Sequence, residues 1–249
     1  MTLLAVAVMA AIAATVVLSA TSQSRAPAPR HQPRVERTAR YVSAAGASAT
    51  AIAITPDGRT AYVITAGDTV TPVDLATGKP GRPIKVGNSA SAIAISPDGQ
   101  TAYLPNHGIS GAGDTVSTIR LAVAKPGGRI RVGADPDTMA IAPDGRTAYV
   151  VNSAANTVTP ITLATGKPGH PIKVGRSPNE IVITPDGTTA YVIDSRGAGD
   201  NVTPINLVTN KPEPRLKVSK ANAIVIAPDG GTAWVRSGSG TRLVPIRIS

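Results

Sequence analysis

The chain has 249 residues, with 25 Lys+Arg against 15 Asp+Glu for a net charge of +10, and contains neither Cys nor Phe. A hydrophobic content of 42% with only 16% charged residues argues against a wholly disordered chain, and the lack of Cys excludes disulfides, thiolate metal sites and a Cys nucleophile. Three scattered His (His31, His107, His170) leave little for a histidine-based centre, and 24 Gly with 22 Pro favour short strands and tight turns over long helices.

The first element is an uncharged run from Leu3 to Ala20. As a helix its 18 residues would span roughly 27 Å, between a long signal-peptide core and a short membrane anchor. Residues 1–22 are therefore expected to be a signal peptide, cleaved after Ser22, or an anchor, and the protein is expected to be extracytoplasmic. No basic residue precedes the run, whereas Arg25, Arg30, Arg34, Arg37 and Arg40 follow it, against the usual positive-inside bias. Residues 23–39, with Ala-Pro-Ala-Pro at 26–29, read as a basic Pro-rich linker. Its arginines suit a spacer, or attachment to an anionic surface at about 1 kcal/mol per basic residue.

Residues 40–249 repeat. Pro-Asp-Gly begins at Pro56, Pro97, Pro143, Pro185 and Pro228, and six residues on stand Tyr62, Tyr103, Tyr149, Tyr191 and Trp234. Gly46, Gly87, Gly133 and Gly175 precede the first four prolines by ten residues. Five copies of about 42 residues without a helical pattern predict an all-β fold, a β-propeller of five four-stranded blades.

In blade 1, Ala51–Ile54, Thr60–Ile64, Val70–Leu75 and Pro83–Val86 are the expected strands, with Pro-Asp-Gly and Gly78-Lys79-Pro80-Gly81 among the turns. Pro72, Pro160, Pro204 and Pro245 recur in the third strand, where each removes a ladder hydrogen bond and predicts a bulge or an unpaired N–H. Along the first strand, Ile52/Ile54, Ile93/Ile95, Met139/Ile141, Ile181/Ile183 and Ile224/Ile226 form a large row. The residues between them (Ala53, Ala94, Ala140, Val182, Val225) form a smaller row, so neighbouring blades are expected to interlock without aromatic bulk. The last six apolar-patterned residues, Leu243–Ile248, match a third strand, and the fifth unit has no fourth. Tyr41–Gly46 is expected to supply it and close the ring; the alternative is an incomplete ring that closes by association.

The phrases Tyr62-Val63-Ile64-Thr65, Tyr149-Val150-Val151-Asn152 and Thr159-Pro160-Ile161-Thr162-Leu163-Ala164-Thr165-Gly166-Lys167-Pro168 resemble YVTN-repeat β-propellers over about 200 residues. That resemblance implies a secreted or envelope protein of bacteria or archaea, commonly with seven blades. Relatives by fold include lactonases and surface-layer proteins, so it does not choose between enzyme and binder.

Candidate site residues follow from the repeat. Thr50, Ser91, Asp137, Asn179 and Asn222 stand six residues before each Pro, at the expected channel mouth. Five oxygen-bearing side chains in register suit a water cluster, or a hard cation such as Ca²⁺. Lactonase-like propellers use a comparable set around a metal, which by resemblance singles out Asp137, Asn179 and Glu180. The longest connections, Asn106–Asp114 and Asp194–Asp200, are candidate recognition loops with His107, Asp114, Arg196 and Asp200. Lys85, Arg131, Lys173 and Lys217 mark the fourth strands and predict a basic rim. The Asp of each Pro-Asp-Gly reads as a turn residue and the repeated Tyr as blade filler.

The expected function is a non-catalytic, exported, envelope-associated binding or scaffold module, with an unknown protein or envelope polymer as partner and no cofactor. A metal-dependent, lactonase-like hydrolase is the alternative. Binding of a polyanion or single-stranded nucleic acid is a further one, with nucleic acid disfavoured because aromatics make up only 2% of the chain.

Overall fold

The structure is a computed structural model that describes residues 49–65, 68–194, 201–238 and 242–248. The N-terminal segment 1–22, the linker 23–39, the expected closing strand 41–46, and Arg196 and Asp200 all lie outside the described residues.

The described chain is all β apart from two short 3-10 turns at Ile109–Gly111 and Leu121–Val123. Among these residues no helix is long and apolar enough to cross a membrane. Blade 1 contains β1 (Ala49–Ile54), β2 (Thr60–Thr65), β3 (Thr69–Asp74) and β4 (Ile84–Lys85). Blade 2 contains β5 (Ala94–Ile95), β6 (Thr101–Asn106), β7 (Thr115–Arg120) and β8 (Lys125–Arg131). Blade 3 follows with β9 (Pro136–Ile141), β10 (Thr147–Asn152), β11 (Thr157–Thr162), β12 (Lys167–Pro168) and β13 (Ile172–Lys173). Blade 4 has β14 (Pro178–Ile183), β15 (Thr189–Asp194), β16 (Asn201–Asn206), β17 (Lys211–Pro212) and β18 (Leu216–Lys217). Blade 5 has β19 (Ala221–Ile226), β20 (Thr232–Ser237) and β21 (Arg242–Arg247). Each blade is one antiparallel sheet in chain order, and the first strands of successive blades lie beside one another, the arrangement of a propeller.

The Pro-Asp-Gly turns explain themselves locally. Gly58, Gly99, Gly145, Gly187 and Gly230 all have φ between 68° and 73°, where only glycine is unstrained. The turn Asp accepts a bond from the amide two residues on, as Asp98 does from Gln100 at 2.9 Å. Ser96 donates to the same carboxylate, and these bonds hold Asp98 below the usual carboxylate range; Asp57 and Asp186 behave alike. The turn Asp residues are thus structural.

The third-strand prolines make no bulge against the second strand, and the ladder bond they remove is one to the fourth. The pairing of the second and third strands runs through Tyr62↔Pro72, Tyr149↔Pro160, Tyr191↔Pro204 and Trp234↔Pro245 without a register shift. The proline carbonyls point the other way, accepting from Gly81 and Gly169 at 2.7 Å and from Glu213 at 2.8 Å, so the missing N–H faces the fourth strand. In blades 3 and 4 that strand is split, into β12 and β13 and into β17 and β18. Blade 2 has Thr118 at this position, and its fourth strand β8 is continuous over seven residues, with one shift between Ser117 and Ile119.

Packing follows the two predicted rows at four joints. Ile93 and Ile95 of blade 2 join Tyr62, Ile64 and Val70 of blade 1, with Ala51 and Ala53 against the same cluster. Met139 of blade 3 joins Tyr103 and Val116 of blade 2, Ile181 of blade 4 joins Tyr149 and Val158 of blade 3, and Ile224 of blade 5 joins Tyr191 and Val202 of blade 4. No hydrophobic cluster among the described residues joins blade 5 to blade 1. The interlocking expected of all five units is therefore found at four joints, and Ile52, Ile54 and Val225 are exposed instead.

The recurring glycine before blades 2, 3 and 4 also finds its reason. Asn152, fully buried at the end of β10, donates from Nδ2 to Thr157 Oγ1 at 3.1 Å and Thr159 Oγ1 at 2.9 Å, tying β10 to β11. A Cβ on Gly133 would stand 2.8 Å from that amide, so the incoming chain must be Gly there. Gly87 lies over Asn106 and Gly175 over Asp194 in the same way.

Candidate functional site

A β-bulge opens four of the five blades. The first-to-second strand register slips between Ala49 and Ala51, Pro136 and Thr138, Pro178 and Glu180, and Ala221 and Ala223. The extra residues are Thr50, Asp137, Asn179 and Asn222, four members of the channel-mouth ring. A bulge re-aims its residue out of strict alternation, which places these side chains at the strand ends on one face of the molecule.

Three of the five ring residues meet in one place. Thr50, Ser91 and Asp137 line a partly open cavity of about 420 Å³, together with Ile64, Thr65, Asp68, Ser89, Ala90 and His107. The cavity spans blades 1 to 3 on the irregular-loop face, opposite the uniform Pro-Asp-Gly turns. Ser91 Oγ donates to the Asp137 carbonyl at 2.5 Å and pins blade 2 to blade 3. Burial pushes the Asp137 carboxyl up, against the pull of His107 and with a push from Asp135. Asp68 Oδ1 accepts from the Ser89 amide at 2.6 Å.

Beside the cavity, His107 Nδ1 stands 2.5 Å from Asp135 Oδ1. The Asp135 carboxylate is mostly buried, its other oxygen accepts from Ser153 Oγ, and its amide donates to Gly113 O at 2.7 Å. His107 belongs to the long blade 2 loop and Asp135 to the entry of blade 3, so the contact ties that loop across a blade boundary. Sequence reasoning named His107 but not its partner. The signal was a departure from the repeat: Asp135 occupies the position of Ser89, Ser177 and Lys220.

The remaining ring residues stand apart from the cavity. Asn179 is exposed. Asn222 donates to Gly238 O and accepts from Arg236 Nε, both at 2.7 Å. Glu180 faces blade 5: burial pushes its carboxyl up to about 7, against the Ile224 amide and the Arg236 charge. Asp137 thus lies beside His107, and Glu180 lies against blade 5. Among the described residues no three His, Cys, Asp or Glu side chains gather as a metal site of those ligands would need.

The predicted basic rim occupies one register position. Lys85, Arg131, Lys173 and Lys217 pair with Thr69, Thr115, Thr157 and Asn201, and all four are exposed. Arg131 Nε bonds Asp114 Oδ2 at 2.9 Å, which pairs the end of the long blade 2 loop with the rim.

No family model matches the chain, and no curated protein does. Solved structures do. Hydrazine synthase from Kuenenia stuttgartiensis is 28% identical with a TM-score of 0.69, covering 75% of this chain and 55% of its own, so this chain spans about half that protein's length. A protein of unknown function from Desulfotomaculum acetoxidans is 19% identical with a TM-score of 0.64, over 81% of this chain and 69% of that one. A candidate 6-phosphogluconolactonase from Bacteroides uniformis is 15% identical with a TM-score of 0.65, over 80% of this chain and 66% of that one. The last two likenesses carry the fold alone.

Proposed function

We propose that this chain is an exported, YVTN-type propeller that works as a non-catalytic binding module, taking its ligand in the loop-face cavity. The observation that carries the reading is the convergence of Thr50, Ser91, Asp137 and His107 on one cavity. The positions of Thr50, Ser91 and Asp137 repeat by sequence, and blades 1 to 3 bring them together with His107. The lining offers hydroxyls, the carboxylates of Asp68 and Asp137, and one imidazole. It suits a ligand rich in O–H or N–H donors, such as an amino sugar of an envelope polymer. Titration of the full chain with glucosamine oligomers, followed by calorimetry, tests this. Binding that Asp137→Ala abolishes and Lys173→Ala leaves intact is expected; no binding by the parent, or binding that Asp137→Ala leaves unchanged, overturns the reading, and an anionic polymer that binds the parent and is lost with Lys173→Ala points to the rim instead.

A second reading, a hydrolase of lactone type, has one observation in its favour. The His107 imidazole, with Asp135 Oδ1 2.5 Å from its Nδ1, stands at the cavity wall where a general base would act. The kinship in fold to a candidate lactonase agrees with it. Hydrolysis of a lactone panel that His107→Gln abolishes would establish this reading; no turnover above the uncatalysed rate would remove it.

A further inference from the structure

We propose that the outer edge of blade 2, strand β8, takes an extended acidic segment of a partner protein as a fifth strand. In blades 1 to 4 the fourth strand ends the sheet, so its outward amide and carbonyl groups have no ladder partner within the blade. Proline closes this edge in the other blades. Ile84-Lys85-Val86, Ile130-Arg131-Val132 and Ile172-Lys173-Val174 align, which puts Pro83 of blade 1 and Pro171 of blade 3 in the register of Arg129. Blade 4 has Pro214 one position earlier, and the Arg215 guanidinium that follows is bonded to Val174 O at 3.1 Å. Blade 2 has no proline from Gly127 to Val132, and among the described residues β8 is the only fourth strand that runs unbroken over seven residues.

The direction of the free groups follows from the ladder. Val132 donates to Asp114 O at 2.8 Å, so its N–H faces β7. Backbone groups alternate along a strand, which turns Ile130 the same way and leaves the N–H and C=O of Arg129 and Arg131 pointing outward. Pro83 and Pro171 therefore remove the outward N–H that Arg129 keeps. Further along, Thr118 stands where the third strands of the other blades have proline. Its hydroxyl donates to Gly128 O at 2.9 Å, and a Cβ on Gly127 would run into that hydroxyl. This bond fastens β8 at the point where the outer strands of blades 3 and 4 are split.

Charge selects the occupant. From Thr115 to Arg131 the chain carries four basic residues and no acid. Lys125 and Arg129 are exposed without an ion-pair partner among the described residues, and Arg131, though paired with Asp114, keeps 83% of its side chain exposed. Arg129 and Arg131 share one face of the strand, while Ile130 packs from the other into the joint with blade 3. A strand added to this edge sets alternate residues beside two guanidinium groups, and carboxylates at those places complement them. Backbone bonds supply the affinity and the alternate acids the selectivity, as in other strand additions to a sheet edge. A second copy does not fit, because β8 against β8 brings like charges together. Residues 23–40 of the chain itself carry five Arg against one Glu and are repelled in the same way.

The probe is a blocked, fluorophore-labelled peptide of alternating Glu and Val, titrated with the full chain at pH 7 and low salt. Its anisotropy is expected to rise, and hydrogen exchange at the Arg129 and Arg131 amides is expected to slow in the complex. A fully N-methylated peptide, which keeps the charge and loses every N–H, is expected not to bind, nor is the counterpart with Lys in place of Glu. Arg129→Pro copies the outer strands of blades 1 and 3 and is expected to abolish binding, whereas Arg129→Ala keeps the N–H and weakens binding about threefold. Equal binding of the N-methylated peptide, unchanged exchange at the two amides, or equal effects of the two variants would mean that charge draws the peptide without edge pairing, and would overturn the proposal. No binding by the parent overturns it as well. So does self-association of the parent that Arg129→Pro breaks, which would give the edge to a second copy. The exchange and N-methyl measurements use the parent protein and decide the matter even where Arg129→Pro fails to fold.

Discussion

Replacing Glu180 by Gln removes a carboxyl that the fold holds at the boundary of blades 4 and 5. Its row reads Ala51, Ala92, Thr138 and Ala223 in the other blades, so a charge is buried where the repeat keeps small side chains. The carboxyl titrates at about 7 in the folded protein and near 4.5 in the unfolded chain, because burial opposes the charged form. A raised folded value means that its stabilising contribution is complete below pH 4.5 and is lost as pH rises through 7. At about 1.4 kcal/mol per pH unit between those values, some 2.5 kcal/mol disappears between pH 5 and pH 8. Partial access of water reduces this to about 2 kcal/mol, or roughly 4–8 °C in Tm for a domain of this size. Glu180→Gln keeps an acceptor for the Ile224 amide and carries no charge. Thermal unfolding of both proteins, followed by Trp234 fluorescence, is expected to coincide closely at pH 5, with the variant more stable at pH 8. If the two proteins keep the same difference in Tm at both pH values, the carboxyl is solvated when ionised and the argument from burial is wrong.

Two more predictions rest on the buried strand ends. Gly133→Ala forces a methyl against the Asn152 amide and is expected to cost about 2 kcal/mol in urea unfolding. Combining it with Asn152→Ala should cost clearly less than the sum of the single changes, and additivity would show that the two residues do not meet. Asp194 occupies the position of Asn106 and Asn152 with a buried carboxyl, which burial pushes up despite the Thr203 hydroxyl. Asp194→Asn is expected to stabilise the protein by about 1 kcal/mol at pH 8 and not at pH 4, measured by urea midpoints. A variant weaker than the parent at pH 8 would mean that the charge is well satisfied.

Local signals settled most of the architecture. Pro-Asp-Gly demands a left-handed glycine and a capping carboxylate, and those needs are met within five residues, so turns and flanking strands could be read directly. The two rows of the first strand could also be read, because alternation in a strand assigns faces without reference to neighbours. Proline was harder. Which sheet neighbour loses the N–H depends on where the carbonyl points, and only the pairing of Pro72 with Gly81 shows that the outer strand bears the break. Thr118 and the unbroken β8 confirm that cause within the same chain.

The candidate site divided along the same line. The sequence by itself determined that Thr50, Ser91, Asp137, Asn179 and Asn222 share one register position, and that His107 sits in a long loop. The stacking of blades put three of them in one cavity with His107, set the Asp135 carboxylate beside that imidazole, and turned Glu180 to the next blade. A repeat fixes the register of a residue within its own blade. Distances across blades depend on how sheets stack, and the convergence at the cavity does not follow from the spacing of Pro-Asp-Gly.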